Sequence, residues 1–397
     1  MASDVLIVGG GIGGAVLALA LGRRGHDVHV LEREAAPPPI ARPEILQDAT
    51  LRSLELLGAG PGLRDEAALP IRGIEIRHGP ETILAIDEAD LAAAGNRPLS
   101  TDPARVRARL LDAALATGRV TLSRGAEVTR LIGEHGHIAG VRGRMHGRSF
   151  EAHGRLLVGD DGARSVVREC LGIRARLRLF PVEFLTLAVE RPPSLAADLA
   201  CAWARPDAVR DDLFAALFVP LPGDRTAAVI LAPIGAFDSK FRDDADAFHR
   251  SLAALTPIAA ELRDHIPEPR ELVRVRRVYG HADRYVADDA AILGDAAHPM
   301  SPAGGQGANA AIFDALALAD VADAALRADD LSAHRLAAYE RRRRPANRRS
   351  LRFTRRAVAL LHLARRSPTG GRFLVTLLRL AGSQRRLLHL AATAFRE

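Results

Sequence analysis

Two cysteines, one tryptophan and one lysine are all that this 397-residue chain holds of those residue types. Cys170 and Cys201 cannot build a disulfide framework and no C-x-x-C pair occurs, so a disulfide-stapled scaffold is excluded and a reducing cytoplasm is expected. There is no H-E-x-x-H and no carboxylate–histidine set. Glu134, His135 and His137 gather only at a glycine-flanked hairpin tip, which reads as a solvated turn, and no metal is expected. No apolar run reaches the length of a membrane-spanning helix. The apolar start Val5–Val8 is too short for a signal peptide and no basic segment precedes it, so it reads as a first strand. With Lys240 alone among the lysines, the positive charge is arginine, the bias of a GC-rich genome rather than of a function. No zinc-finger spacing or aromatic RNA-binding motif accompanies it, and no nucleic-acid partner is expected.

What the chain does hold is core. Hydrophobic residues make up 48% and charged residues 26%, ample for one large or two closely joined domains. The net charge of +7 is unevenly spread. Residues 341–397 carry sixteen arginines against one acid, Glu397, which leaves the rest of the chain at −8. In this tail the apolar runs Ala357–Ala364 and Phe373–Ala381 alternate with arginine pairs. They predict two amphipathic helices broken at Ser367-Pro368-Thr369-Gly370-Gly371. Two readings follow: packing on the acidic body, or peripheral contact with a partner or with an anionic membrane at its inner face.

Residues 4–8 read as a buried parallel strand, Ile12–Arg24 as a helix and Val28–Leu31 as a second strand, a βαβ unit. Ala35–Pro43 is a proline-rich loop. Ala49–Leu57 and Pro103–Ala116 read as helices, the second with Asp102 as N-cap and proline at its first position. From Val120 to Val158, alternation with turn signals at Gly133, Gly136, Gly143 and Gly147 predicts antiparallel strands. In residues 181–275, Pro192, Pro193, Pro206, Pro220, Pro222 and Pro233 punctuate short apolar runs such as Leu213–Val219 and Ala227–Leu231. That predicts a separate antiparallel sheet able to wall a pocket. Strand character returns at Ala290–Leu293, and helices follow to Tyr339.

Three motifs stand on this framework. Gly9, Gly11 and Gly14, with Gly13 between, fit G-x-G-x-x-G at a strand-to-helix turn. The first glycine permits the tight turn, the second lets backbone approach a pyrophosphate, and the third lets helix and strand pack closely. Glu32, eighteen residues after Gly14, ends the second strand where it can accept from a ribose hydroxyl, which favours FAD or NAD over NADP. A packing turn is the competing reading. The second motif is G-D-D-G-A-R-S at 159–165, after the strand Arg155–Val158; alone it reads equally as a β-turn with two acids. The third is G-D-A-A-H-P-M-S-P-A-G-G-Q-G-A-N at 294–309. It sets an acid at a strand end, then a loop with two prolines, then a glycine-rich helix start near Ala308 whose N–H groups favour negative charge.

In this order and spacing the motifs resemble those of the class A flavoprotein monooxygenases, the p-hydroxybenzoate hydroxylase-like family, from the first strand to Asn347. The resemblance implies FAD as cofactor and NADH or NADPH as transient reductant. It implies that Asp161 and Gly162, with Arg164 and Ser165, lie beside the FAD, Asp160 standing where the family has a small residue. It implies that Asp295 bonds the ribityl chain and that Pro299 and Pro302 line the isoalloxazine ring. The Gly305–Asn309 backbone, with Gly307 and Ala308, would face the N1–C2=O edge. Arg42 and Arg107 resemble arginines that approach the cofactor, each also readable as an exposed charge. Val128 stands where the family sets backbone against adenine. His298 reads either as a general base or as structural, and no proton-transfer role is assigned to it.

The implied fold is α/β. A Rossmann-like FAD-binding domain is discontinuous over 1–70, 100–180 and 276–340. A mixed or antiparallel-sheet substrate domain covers 71–99 and 181–275, and a basic helical tail covers 341–397. The implied enzyme is a single-component monooxygenase, monomeric or homodimeric, that hydroxylates a phenol-like aromatic with O2 through a C4a-hydroperoxyflavin. No side-chain nucleophile is needed, because the cofactor carries the chemistry. The other readings are an epoxidase or quinone-precursor hydroxylase acting on an apolar, membrane-derived substrate, an FAD-dependent reductase, and a non-enzymatic FAD-binding protein. A related halogenase is disfavoured, since Trp203 and Lys240 stand alone where that chemistry uses W-x-W-x-I-P and a catalytic lysine.

Overall fold

Val5, Leu6 and Ile7 are fully buried on both faces of strand Ser3–Val8, which is what a central parallel strand requires. The computed structural model describes residues 3–383 apart from 37–42, 60–62, 64–66, 94, 96, 135–136, 206–211, 264, 267, 301–304 and 367. Ser3–Val8 pairs in parallel with Val28–Glu32 on one side and Arg148–Gly159 on the other. Val120–Arg124 and Ala290–Ile292 extend this sheet outward, also in parallel. Helix Ile12–Arg23 is buried from Gly13 to Gly22 and packs against helices Pro103–Leu115 and Gln306–Arg327. Asp102 caps Pro103–Leu115 by accepting from Ala104 N at 2.9 Å.

The stretch from Val120 to Val158 is antiparallel only in part. Ala126–Glu134, His137–Met145 and Arg148–Gly159 form a meander, but Val120–Arg124 and the far end of Arg148–Gly159 are parallel members of the first sheet. Gly143 lies inside a strand rather than at a turn, where a Cβ would stand 2.1 Å from Glu127 O. Alternation with period two carries no information about strand direction, which is the reason for the difference.

The second sheet has seven strands in the order Val273–Ala282, Ala175–Glu190, Arg225–Pro233, Ala215–Leu221, Leu199–Ala204, Gly73–His78, Glu81–Ile86. All pairs are antiparallel except Leu199–Ala204 with Gly73–His78. It therefore begins before residue 181 and ends beyond 275. Its back face is sealed: Leu185, Trp203, Phe218 and Ile230 pack with helix Ala245–Leu255 and the turn Phe237–Phe241, elements that the proline pattern did not reveal. On the front face one cross-strand row runs Thr186, Val229, Leu217, Ala202, Ile76, Leu84. In the middle of that row Val229, Leu217, Ala202 and Ile76 are only half-buried.

A small sheet of Glu44–Leu46, Leu99–Thr101 and Ala68–Pro70 faces this row. Its Ile45 packs with Ile71, Ala200 and Val219. The tail departs from expectation. Ala333–Arg366 is one helix that continues through Pro345, and a second runs Pro368–Ser383. Pro368 is the first residue of the second helix, a position that needs no amide donor, so Pro368–Gly371 belong to that helix rather than to a break. Leu351 and Val358 pack on Phe180, Phe184 and Tyr279, and Arg379 pairs with Glu81, so the described tail lies on the body. No helix among the described residues is long and apolar enough to cross a membrane.

Trp203 is 2% exposed, with the Arg77 guanidinium 5.4 Å above its ring. As the chain's lone indole it reports on the second sheet. Iodide is expected to leave the native emission unquenched and to quench it once this sheet unfolds; quenching of the native protein would contradict the burial.

Candidate functional site

Three strand ends meet at the carboxyl edge of the first sheet. Asp160 N donates to Val8 O at 2.8 Å and Leu293 N donates to Gly159 O at 3.0 Å. In open parallel sheets ligands bind at this edge. Gly9 has φ +106°, and a Cβ there would sit 2.2 Å from Asp160 O; one on Gly14 would sit 2.2 Å from Gly9 O. No other residue fits these two positions. Glu32 is 8% exposed. Its Oε2 accepts from Gly10 N at 2.9 Å and its Oε1 from Glu34 N at 2.8 Å, which fixes the carboxylate against the glycine loop with lone pairs to spare for a ribose hydroxyl.

Helix Ile12–Arg23 begins at Gly11 with no side-chain cap of its own. The cap comes from another strand, since Asp160 Oδ2 accepts from Gly14 N at 2.6 Å. In the same motif Gly162 has φ +81°. Asp161 Oδ2 accepts from Val167 N at 3.1 Å, while its Oδ1 is buried with no hydrogen-bond partner among the described residues. Ser165 caps the short helix Val166–Cys170 through Arg168 N. Arg168 was not anticipated. It is 8% exposed and donates to Ala163 O at 3.0 Å and to Ala296 O at 2.8 Å, tying the middle motif to the 294–309 loop. Its only sequence signal is an arginine closing the motif three residues after Ser165.

Gly294 has φ +57°, and Asp295 follows it half-buried. Pro299 is buried, its carbonyl accepting from Gly280 N at 3.0 Å. Helix Gln306–Arg327 starts after Gly305, φ +63°, without a side-chain cap, and a Cβ on Gly307 would meet nothing within 4 Å. This is an open, uncapped helix N-terminus, suited to negative charge. The Asn309 side chain is spent inside the protein. Its Oδ1 accepts from Gln47 N at 3.0 Å and Thr50 Oγ1 at 2.6 Å, and its Nδ2 donates to Ile45 O and Gly305 O, each at 2.8 Å. Ala308 is half-buried in the first turn. Arg107, on helix Pro103–Leu115, has a buried Nη2 with no partner among the described residues. Val128 is buried in Ala126–Glu134, which borders Val28–Glu32. Arg42 and Pro302 lie outside the described residues.

His298 is 1% exposed and its Nε2 bonds Asp314. Asp314, 0% exposed, also accepts from Arg343 Nε at 2.8 Å, Asn347 Nδ2 at 3.0 Å and Gly294 N at 3.3 Å. Burial alone would raise the Asp314 carboxyl, but His298 and Arg343 outweigh it and hold it down to about 2. Asn347 continues the network to the Tyr285 hydroxyl at 3.4 Å, and that hydroxyl meets His281 Nε2 at 2.7 Å. Because His281 Nδ1 contacts the Ala282 carbonyl at 2.9 Å, Nδ1 donates and Nε2 accepts. Burial, with His298 and Arg344 adding to it, lowers His281 to about 4 and keeps it neutral. His298 is thus built into a structural network. His137 is exposed, as a solvated turn requires, and also bonds Asp289 at 2.9 Å; 135–136 lie outside the described residues.

Truncating Asp314 takes the carboxylate partner from the 7%-exposed Arg343 and from the buried His298. Asp314→Ala is expected to lose about 3–5 kcal/mol in urea unfolding, with Asp314→Asn losing less because it keeps hydrogen-bonding capacity. A loss near zero in both would show that the network is not needed for the fold.

The glycine cradle, the carboxylate at the second strand end, the unpartnered Asp161 Oδ1 and Arg107 Nη2, and the uncapped helix at Gly305 fit an adenosine–diphosphate–flavin molecule laid across the sheet edge. Comparison with known proteins agrees. Residues 2–354 match the FAD binding domain family. The chain is 29% identical over 351 residues to the 6-methylpretetramide 4-monooxygenase of Streptomyces rimosus, covering 88% of this chain and 82% of that one. It is 31% identical over 360 residues to the ubiquinone hydroxylase UbiL of Rhodospirillum rubrum, covering 87% and 78%. The fold matches PqsL of Pseudomonas aeruginosa, a probable FAD-dependent monooxygenase, with TM-score 0.76 and 28% identity over 93% of this chain and 99% of that one. It also matches the fold of p-nitrophenol 4-monooxygenase PnpA of Pseudomonas putida, with TM-score 0.80 and 21% identity over 99% and 97%. The chain therefore belongs to the FAD binding domain family and is an FAD-dependent monooxygenase of the p-hydroxybenzoate hydroxylase type.

Proposed function

We propose that the enzyme uses NADH or NADPH and O2 to hydroxylate an electron-rich aromatic or quinone-type small molecule between the 294–309 loop and the front face of the second sheet. The observation that carries this reading is the position of Ile45. Asn309 holds its carbonyl, a Cβ on Gly305 would lie 3.0 Å from its Cβ, and its side chain packs on the sheet residues Ala200 and Val219. A ring resting on the half-buried Leu217 and Val229 would therefore lie beside the loop that the family uses for its flavin.

FAD, when bound, supplies electron transfer and oxygen activation. The chain supplies binding, orientation and dryness. Glu32 would hold the adenosine ribose, and the Gly9–Gly14 backbone would admit the diphosphate. Asp295 would bind the ribityl hydroxyls, and the N-terminus at Gly305–Asn309 would stabilise negative charge on the flavin edge. The front-face rows exclude water, which suppresses wasteful loss of reducing equivalents as peroxide. His298, sealed against Asp314, positions the loop rather than moving protons. The segments 1–70, 100–180 and 276–340 would serve the cofactor, 71–99 and 181–275 the substrate, and the tail would buttress the sheet. A second reading, epoxidation or hydroxylation of an apolar polyene or quinone precursor, is favoured by the hydrocarbon of the central rows, where Thr186 is the one polar side chain among Val229, Leu217, Ala202, Ile76 and Leu84.

The purified protein is expected to be yellow, to oxidise NADH or NADPH faster when a suitable ring compound is added, and to place oxygen from labelled O2 in the product, read by mass spectrometry. Turnover under strictly anaerobic conditions, or label arriving from water alone, overturns the oxygenase reading. Protein that stays colourless with added FAD overturns it at the cofactor.

A further inference from the structure

Asp160 follows the strand end Gly159, and its carboxyl fills the hollow that the glycines leave. Although the residue as a whole is half-exposed, Cβ atoms built on Gly11, Gly13 and Gly14 would lie 3.0, 3.2 and 3.3 Å from its carboxyl oxygens, and one on Gly294 would lie 2.8 Å away. Its hydrogen-bond partner among the described residues is Gly14 N at 2.6 Å. Among the described residues the charged groups that face it are acidic: Asp161 from its own loop, Asp295 from the 294–309 loop and Asp314 from helix Gln306–Arg327. Glu32 stands on the far side of Gly10. Arg168, on the short helix Val166–Cys170 that follows, is turned away to the carbonyls of Ala163 and Ala296. Burial, and then these carboxylates, push the Asp160 carboxyl well above the usual range, while the Gly14 bond pulls the other way.

The helix that Asp160 caps is the one whose N-terminus takes the diphosphate in a G-x-G-x-x-G loop. An ionised Asp160 would add its charge to those of the diphosphate, and no cation among the described residues is one of the charged groups that face it. We propose that Asp160 is a positioning residue that caps the glycine-loop helix from a second strand, and that FAD binds with uptake of one proton at its carboxylate. The neutral acid still accepts from Gly14 N through its carbonyl oxygen, so the cap survives protonation and the charge does not. The sign follows from linkage. A carboxyl whose proton is held more tightly in the loaded protein gives full affinity at low pH, and affinity is lost as pH rises through the ionisation of the FAD-free form.

The test is FAD binding to FAD-stripped protein, followed by flavin fluorescence, and it stands apart from oxygen chemistry and substrate. Between about pH 5.5 and about pH 8.5 the Kd is expected to rise by up to about tenfold per pH unit once Asp160 ionises in the free protein. Asp160→Asn keeps the shape and the Gly14 bond without the charge, so its Kd is expected to stay flat and to fall below the parent value at the alkaline end. Asp160→Ala is also expected to be flat, but with a lowered Tm from the lost cap. A parent Kd independent of pH, or Asp160→Asn retaining the parent slope, overturns the proposal. Calorimetry of the unmutated protein in phosphate and in Tris counts the protons directly, so the question is decided even if a variant fails to fold. A proton count of zero across the range also overturns it.

Discussion

The carboxylate of Asp314 is the constraint on which the cofactor-facing loop depends. It is fully buried, so its charge is tolerable only while several donors surround it. Those donors come from two places: Gly294 and His298 on the loop, and Arg343 and Asn347 on helix Ala333–Arg366. A group that needs every partner at once fixes all of them at once. The loop at 294–300 is therefore held as firmly as the helices beneath it, and Pro299, bonded to Gly280 on the second sheet, is carried with it.

The other two cofactor motifs are joined to this fixture instead of being set beside it. Asp160 binds the glycine loop through Gly14, and Arg168 binds the 294–309 loop through Ala296. Asn309 reaches back to Gln47, Thr50 and Ile45. Segments far apart in sequence thus form one hydrogen-bonded rim along the carboxyl edge of the first sheet. Rims of this kind preorganise charge, since helix N-termini and fixed carboxylates need not reorient when a ligand arrives. Oxygenation chemistry gains from the same rigidity, because water is kept out by side chains that stay in place.

The parts of this site that could be read from the sequence are those whose cause is local. Gly9 and Gly14 are dictated by contacts within a few residues or by a turn of fixed shape, and Asp102 before Pro103 is a cap signal complete in itself. Glu32 was legible because a strand end has one place for an acid to go. What was not legible depends on distant partners. The role of Arg168 needs Ala296, 128 residues away, and the bond of His137 needs Asp289, 152 residues away. Strand direction at Val120–Arg124 depends on pairing with Val28–Glu32, which alternation cannot encode. The strands at 73–86 join the second sheet, but their parallel contact with Leu199–Ala204 has no local signature. In the tail, glycine and proline read as a break of five residues, yet Gly370 and Gly371 are helical because the helix rests on the body.

The fixture around Asp314 also sets an order in time. Ribosomes release this chain with its glycine loop first, the 294–309 segment much later, and Arg343 and Asn347 last of the three. Every residue that resembles a cofactor ligand has emerged before the groups that lock the flavin side into shape. A nascent chain halted just short of Arg343 would display the complete set of nucleotide signatures while lacking the buried counter-ion of Asp314. The most basic part of the chain, which looks like an appendage when only its charge is counted, is the part that completes the active enzyme.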